Sequence, residues 1–138
     1  MSNIDPSKVQ FEMFKGLPRD TPIMMLNLIR LNQVANYEVK TSSSGHDAYE
    51  TYATQSASIF KGVGGEIIWR GRPESVLIGP SDEHWDIAFI ARYPNAGSFL
   101  AMVTDPNYQA IVFHRQAAVK DSRLIRMGSL DGQPAMFG

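Results

Sequence analysis

A chain of 138 residues with a formal charge of -1 is one domain's worth of polypeptide and has no electrostatic reason to bind nucleic acid or an anionic membrane. Cysteine is absent, which excludes disulfides, thiolate metal sites and a cysteine nucleophile. With 43% hydrophobic residues, no apolar run near the roughly 18 residues of a membrane span and no secretory signal at Met1-Ser2-Asn3-Ile4-Asp5, the expected product is a cytoplasmic globule.

Asp5-Pro6 predicts a helix start, an acidic cap followed by a residue whose fixed φ suits the first turn. The helix is expected to run to Gly16, where Gly16-Leu17-Pro18 ends it, and to pack on the body through Val9, Met13 and Phe14. Residues 22–31, from Pro22 to Leu31, are almost wholly apolar and predict a central strand with both faces covered. Asn27 interrupts that run. It reads either as an amide satisfied by backbone or buried water, or as a polar contact lining a pocket.

Residues 32–45 form a polar loop ending in a capping signal, Ser44-Gly45-His46-Asp47. The helix that follows places Tyr49, Tyr52, Ser56, Phe60 and Val63 on one stripe, where tyrosines are usually core residues with a wet hydroxyl. Gly62-Val63-Gly64-Gly65 ends it as a turn, without the strand-before, helix-after setting of a phosphate loop. Glu66–Pro73 and Ser75–Ile78 read as one long strand broken at Gly71 to Glu74, with Arg70 and Arg72 sharing a solvated or intersubunit face. A turn at residues 79–83 then leads into the strand Trp85–Tyr93 as a hairpin.

Asn95 caps a short helix holding Phe99 and Met102, which Asp105-Pro106 interrupts and restarts. The restarted helix sets Ala110, Ile111, His114, Ala117 and Ala118 on one stripe, with Tyr108, Ile111, Val112, Arg115 and Val119 on the next. His114 thereby points into a face of small side chains, either as a core histidine bonded to a carbonyl or as a pocket base beside open space. No two histidines have metal-ligand spacing, so no metal is expected. Arg123–Met127 forms the last strand, and Leu130, Met136 and Phe137 make the tail apolar enough to dock on the body or a neighbour.

The order is helix, then βαββαβ, which predicts an α+β, ferredoxin-like fold of four antiparallel strands with the helices on one face. Residues 1–21 form an N-terminal helical extension, 22–128 the ferredoxin-like domain and 129–138 a tail. Apolar residues at both parities of the two central strands leave a second sheet face to bury. Two subunits meeting through those faces, a homodimer, would bury it.

Met25-Leu26-Asn27-Leu28, the Tyr49/Tyr52 helix, Leu77-Ile78-Gly79, Trp85-Asp86, Tyr93-Pro94, Asp105-Pro106-Asn107-Tyr108 and His114-Arg115 with Asp121-Ser122 resemble the family of domain of unknown function 1330, over about residues 22–127. That resemblance implies a dimeric α/β barrel and brings no established reaction. Distant members of the superfamily are cofactor-independent monooxygenases, haem-degrading oxygenases and isomerases that use a cleft between sheet and helices. Asn27 and His114 stand where haem-degrading members keep an Asn and a His, whereas the Trp-to-His spacing departs from theirs. No cofactor is expected.

Two function classes stay open. One is a cofactor-independent monooxygenase or isomerase on a small apolar substrate, with His114 and Asn27 catalytic and Tyr52, Tyr108, Trp85 and Arg115 binding the substrate. The other is a non-catalytic metabolite-binding or assembly module using the same cleft.

Overall fold

The computed structural model describes residues 2–130. The chain runs α1 (Lys8–Gly16), β1 (Ile23–Leu31), α2 (Gly45–Gly62), β2 (Glu66–Gly71), β3 (Ile87–Tyr93), α3 (Ala96–Thr104), α4 (Pro106–Ile111), α5 (Phe113–Ala118) and β4 (Val119–Met127). The strands form one antiparallel sheet in the order β2-β3-β1-β4. This is the ferredoxin-like βαββαβ plan expected from the sequence, with α1 added in front.

Strand parity decides which residues meet the helices. On β1, Ile23, Met25 and Ile29 are buried, and their partners across the ladder, Tyr93, Ala91 and Ile87, share that face. The core there divides in two. Ile23, Met25, Ala91, Tyr93, Ala96, Phe99, Met102 and Tyr108 make one cluster, and Ile29, Ala35, Ala48, Ala117, Ala118 and Val119 the other. Phe89 packs against both. Asn27 stands on β1 between the two clusters.

Two glycines are required by geometry. Gly45 opens α2 against the end of β1, where an added Cβ would lie 2.0 Å from the Asn32 carbonyl oxygen. Gly64, at φ +85°, turns the chain from α2 into β2. Ser44 caps α2 by accepting the Asp47 N–H, and Asn95 caps α3 by accepting that of Ser98.

Four expectations need correction. The first helix is capped by Ser7, not Asp5: Ser7 and Gln10 exchange the bonds of a capping box, while Asp5 accepts from the Gln116 side chain at 3.2 Å. Val9 and Met13 are each 69% exposed, and Phe14 alone of the three packs inward, against Phe99. Ser75–Ile78 is not a strand. Gly71 is the last paired residue of β2 and Pro73 has no N–H to offer a ladder, so residues 72–86 leave the sheet as an arm with Leu77 and Ile78 over 90% exposed. Trp85 and Asp86 likewise precede β3, because the Asp86 carboxylate takes the Leu31 N–H at 2.7 Å in place of a backbone carbonyl. Met136 and Phe137 lie outside the described residues. Among the described residues, no helix is long and apolar enough to cross a membrane.

Candidate functional site

The helices do not close over the middle of the sheet. Between them and β1–β4 lies a cavity of about 1120 Å3 whose floor includes Met25, Asn27, Leu124 and Arg126. Phe99 and Val103 of α3, Tyr108 of α4, Val112, Arg115 of α5 and Tyr52 of α2 form its walls, and residues 3–8 run along its rim. Register explains the floor: Asn27 pairs with Leu124 and Met25 with Arg126, so all four face the helices.

Asn27 donates from Nδ2 to the Met25 carbonyl at 3.1 Å, which fixes its amide and leaves its own carbonyl oxygen without a partner among the described residues. Tyr52 and Tyr108 bring their hydroxyls to 2.8 Å, with the rings edge to face. One hydroxyl donates to the other, so the pair retains a second O–H for a ligand. Burial, reinforced by Tyr52, pushes the Tyr108 phenol far above its ordinary value and keeps it protonated. The Arg115 guanidinium donates to the Ile4 carbonyl at 2.6 Å and to Ser122 Oγ at 3.4 Å.

Asn27, Tyr52, Tyr108 and Arg115 therefore converge on one cavity. His114 does not join them. The helix expected to run unbroken from Pro106 is interrupted at Val112, and the stripe that turns to the cavity is the one through Tyr108, Val112 and Arg115. The space expected beside the imidazole is filled instead. The Tyr37 hydroxyl is hydrogen-bonded to His114 Nδ1 at 2.6 Å, and the Phe113 ring lies 4.0 Å from the imidazole centroid. Ala110 is exposed, whereas Ala117 and Ala118 belong to the second core cluster. Burial lowers the His114 pKa and so favours the neutral ring.

Trp85 is also elsewhere. It lines a separate hollow of about 360 Å3 with Arg30, Glu83, Lys120 and Asp121, its ring beneath the Arg123 guanidinium at 5.1 Å. His46, Asp47 and Glu50 bring potential ligand atoms within 4.8 Å of one another at the start of α2, all on exposed side chains.

Sequence reasoning missed Ser122, Arg126 and the rim formed by Asn3, Ile4 and Asp5. Ser122 donates to the Asn3 carbonyl at 2.7 Å, and Asp121 accepts from the Asn3 backbone at 2.9 Å. Burial alone would raise the Asp121 carboxyl, but hydrogen bonds from Asn3, Arg123 and the Ser122 N–H more than reverse that and hold it below its ordinary value. A usable signal existed for Arg126, a charged residue two positions from Leu124 in an otherwise half-apolar strand.

Comparison with known proteins follows the same outline. A protein of unknown function from Rhodopseudomonas palustris, RPA0582, is 46% identical, with a TM-score of 0.90 over 95% of this chain and 99% of that one. At 12% identity, a dimeric protein of unknown function with a ferredoxin-like fold from Bacteroides fragilis aligns over 78% of this chain and 96% of its own with a TM-score of 0.51. SnoaB, a cofactor-independent oxygenase from Streptomyces nogalater, is also 12% identical, with a TM-score of 0.52 over 83% and 99%. These last two share the fold alone. No curated protein matches. A family model, domain of unknown function (DUF1330), matches residues 34–128, from the loop after β1 to the end of β4, and the chain belongs to that family.

Proposed function

We propose that the chain binds a small, largely apolar molecule in the cavity over Asn27, and that it does so as a homodimer joined through the open sheet faces. The gap on β1 carries this reading. Met25 and Ile29 are packed into separate core clusters, and the position between them faces a hollow with an amide where an apolar side chain would have closed the core. Apolar walls with a few fixed polar groups are the usual form of a small-molecule site. His114 has no part in it, because Tyr37 and Phe113 occupy its surroundings.

Amide NMR during titration with small aromatic and 2-oxo-acid molecules tests the proposal. Shifts should concentrate at Asn27, Tyr52, Tyr108 and Leu124, with Trp85 and His114 unmoved. Shifts confined to the open sheet face, or none anywhere, would overturn it.

A cofactor-independent oxygenase or isomerase working in the same cavity is a second reading, supported by the fold shared with the Streptomyces nogalater oxygenase. Proton abstraction needs an acceptor. Among the described lining residues, Tyr108 is held protonated, Arg115 is a cation, and Asp5 supplies the carboxylate. Such a reaction would start from a substrate that arrives ionised, or would use Asp5. Oxygen uptake or product formation by a bound ligand, lost in Asn27→Leu, distinguishes turnover from binding.

A further inference from the structure

Charge in the cavity is one-sided. Among the described residues, Lys8, Arg115, Arg123 and Arg126 line it against the single carboxylate of Asp5. Most of these charges are already engaged. Asp5 accepts from Gln116, Arg123 pairs with Asp121 at 3.0 Å, and Arg126 donates to the Phe14 and Pro18 carbonyls while lying over the Phe14 ring.

Arg126, like Arg115, has only neutral partners among the described residues, but they draw its guanidinium to Phe14 and Pro18 at the end of α1, whereas Arg115 stands on the cavity wall with Tyr108 and Val112. The Arg115 side chain is partly buried between α2, α5 and β4, its bonds go to a neutral carbonyl and a hydroxyl, and no carboxylate stands within ion-pair distance of it among the described residues. Taking a cation out of water is costly unless an opposite charge accompanies it. A guanidinium also carries more N–H donors than these two bonds use, in a planar fork that matches a carboxylate. Phe99, Val103 and Val112 supply apolar surface in the same hollow.

Resting on the ligand-binding reading above, we propose that the cavity takes a small organic carboxylate, its anionic group on Arg115 and its apolar body against Phe99, Val103 and Val112. The Tyr52–Tyr108 hydroxyl pair and the Asn27 carbonyl oxygen are then left for polar groups elsewhere on the ligand.

The test pairs acids with their own amides, so that shape stays constant while charge is removed. Calorimetric titration with benzoate, 4-phenylbutyrate and 2-oxo-4-phenylbutyrate should show binding at least tenfold tighter than with the matching amides. That preference should disappear in Arg115→Gln and be partly retained in Arg115→Lys. The lysine variant guards against a trivial loss, because it keeps a charge and a donor toward Ile4. Equal affinity for acids and amides would overturn the carboxylate class and leave the ligand-binding reading standing. Phenyl phosphate binding more tightly than every carboxylate would overturn it in favour of a phosphate monoester. If no member of either series binds, both readings fall.

Discussion

At the scale of single residues, His114 shows how a polar side chain reads one way in sequence and another in space. Its small neighbours at Ala117 and Ala118 pack into core, and its nitrogen is taken by Tyr37. The folded protein holds the imidazole below its ordinary pKa by burial, so the unfolded chain protonates first as the pH falls. The His114 contribution to stability is therefore complete above the unfolded pKa, near 6.5, and is lost as pH falls toward and through the lowered folded value. Wild-type melting temperature should drop between pH 8 and pH 5.5 by more than that of His114→Gln, since glutamine has no proton to take up. Parallel pH dependence in the two proteins would remove the histidine as the cause. The cavity residues were legible to different degrees. Asn27 stood out because a polar group broke an apolar strand. Arg115 was placed by helical spacing next to Tyr108, and the same spacing sets His114 on the adjoining face; nothing local to the helix says which of the two stripes meets the cavity.

Elements were easier to read than sites, because caps and parity are local. Ser44, Asn95 and Asp105 all cap helices, and apolar residues at both parities placed β1 and β3 in the middle of the sheet. The arm at residues 72–86 was not legible: Val76-Leu77-Ile78 has strand composition, and only the absence of a strand opposite it among the described residues decides otherwise. The first helix is the other case. Its nine residues bury no side chain fully, and a helix that short is marginal in water. Its hold on the body is Phe14, its ring tilted against Phe99 at 5.1 Å and beneath the Arg126 guanidinium at 5.0 Å. Phe14→Ala should cost about 1–2 kcal/mol, less than a fully buried ring would, and the loss should be local. Hydrogen exchange is the measurement. Amides of α1 should exchange much faster in the variant while β1 and β3 keep their protection. A uniform loss across the sheet would mean that α1 folds with the core as one unit.

On the scale of the whole molecule, the sheet has a second face that the described residues leave open. The register lines up Trp69, Ile90, Leu26 and Ile125 in one row across all four strands, with Met24 and Met127 on one side of it and Leu28 and Ala88 on the other. Trp69 is 61% and Ile125 46% exposed, and Leu77 and Ile78 on the neighbouring arm are more exposed still. An apolar row of this kind, flanked by Arg92 and Arg123, is at about 25 cal/mol per Å2 a strong drive to associate. An isologous pairing buries the same row on both copies at once, and about 800 Å2 per partner is enough for a stable contact. The expected solution mass is twice the 15.4 kDa of the chain. Leu26 lies on the inner strand β1, so Leu26→Glu places a carboxylate from each copy near the middle of the contact. Burying two like charges there should weaken dimerisation by roughly 100-fold or more. The fold itself should survive, because Leu26 points away from both core clusters. Light scattering at micromolar concentration should then find a folded monomer, with unchanged far-ultraviolet circular dichroism. A wild-type protein at 15.4 kDa, or a Leu26→Glu protein that remains dimeric, would show that the open face is not where two copies meet.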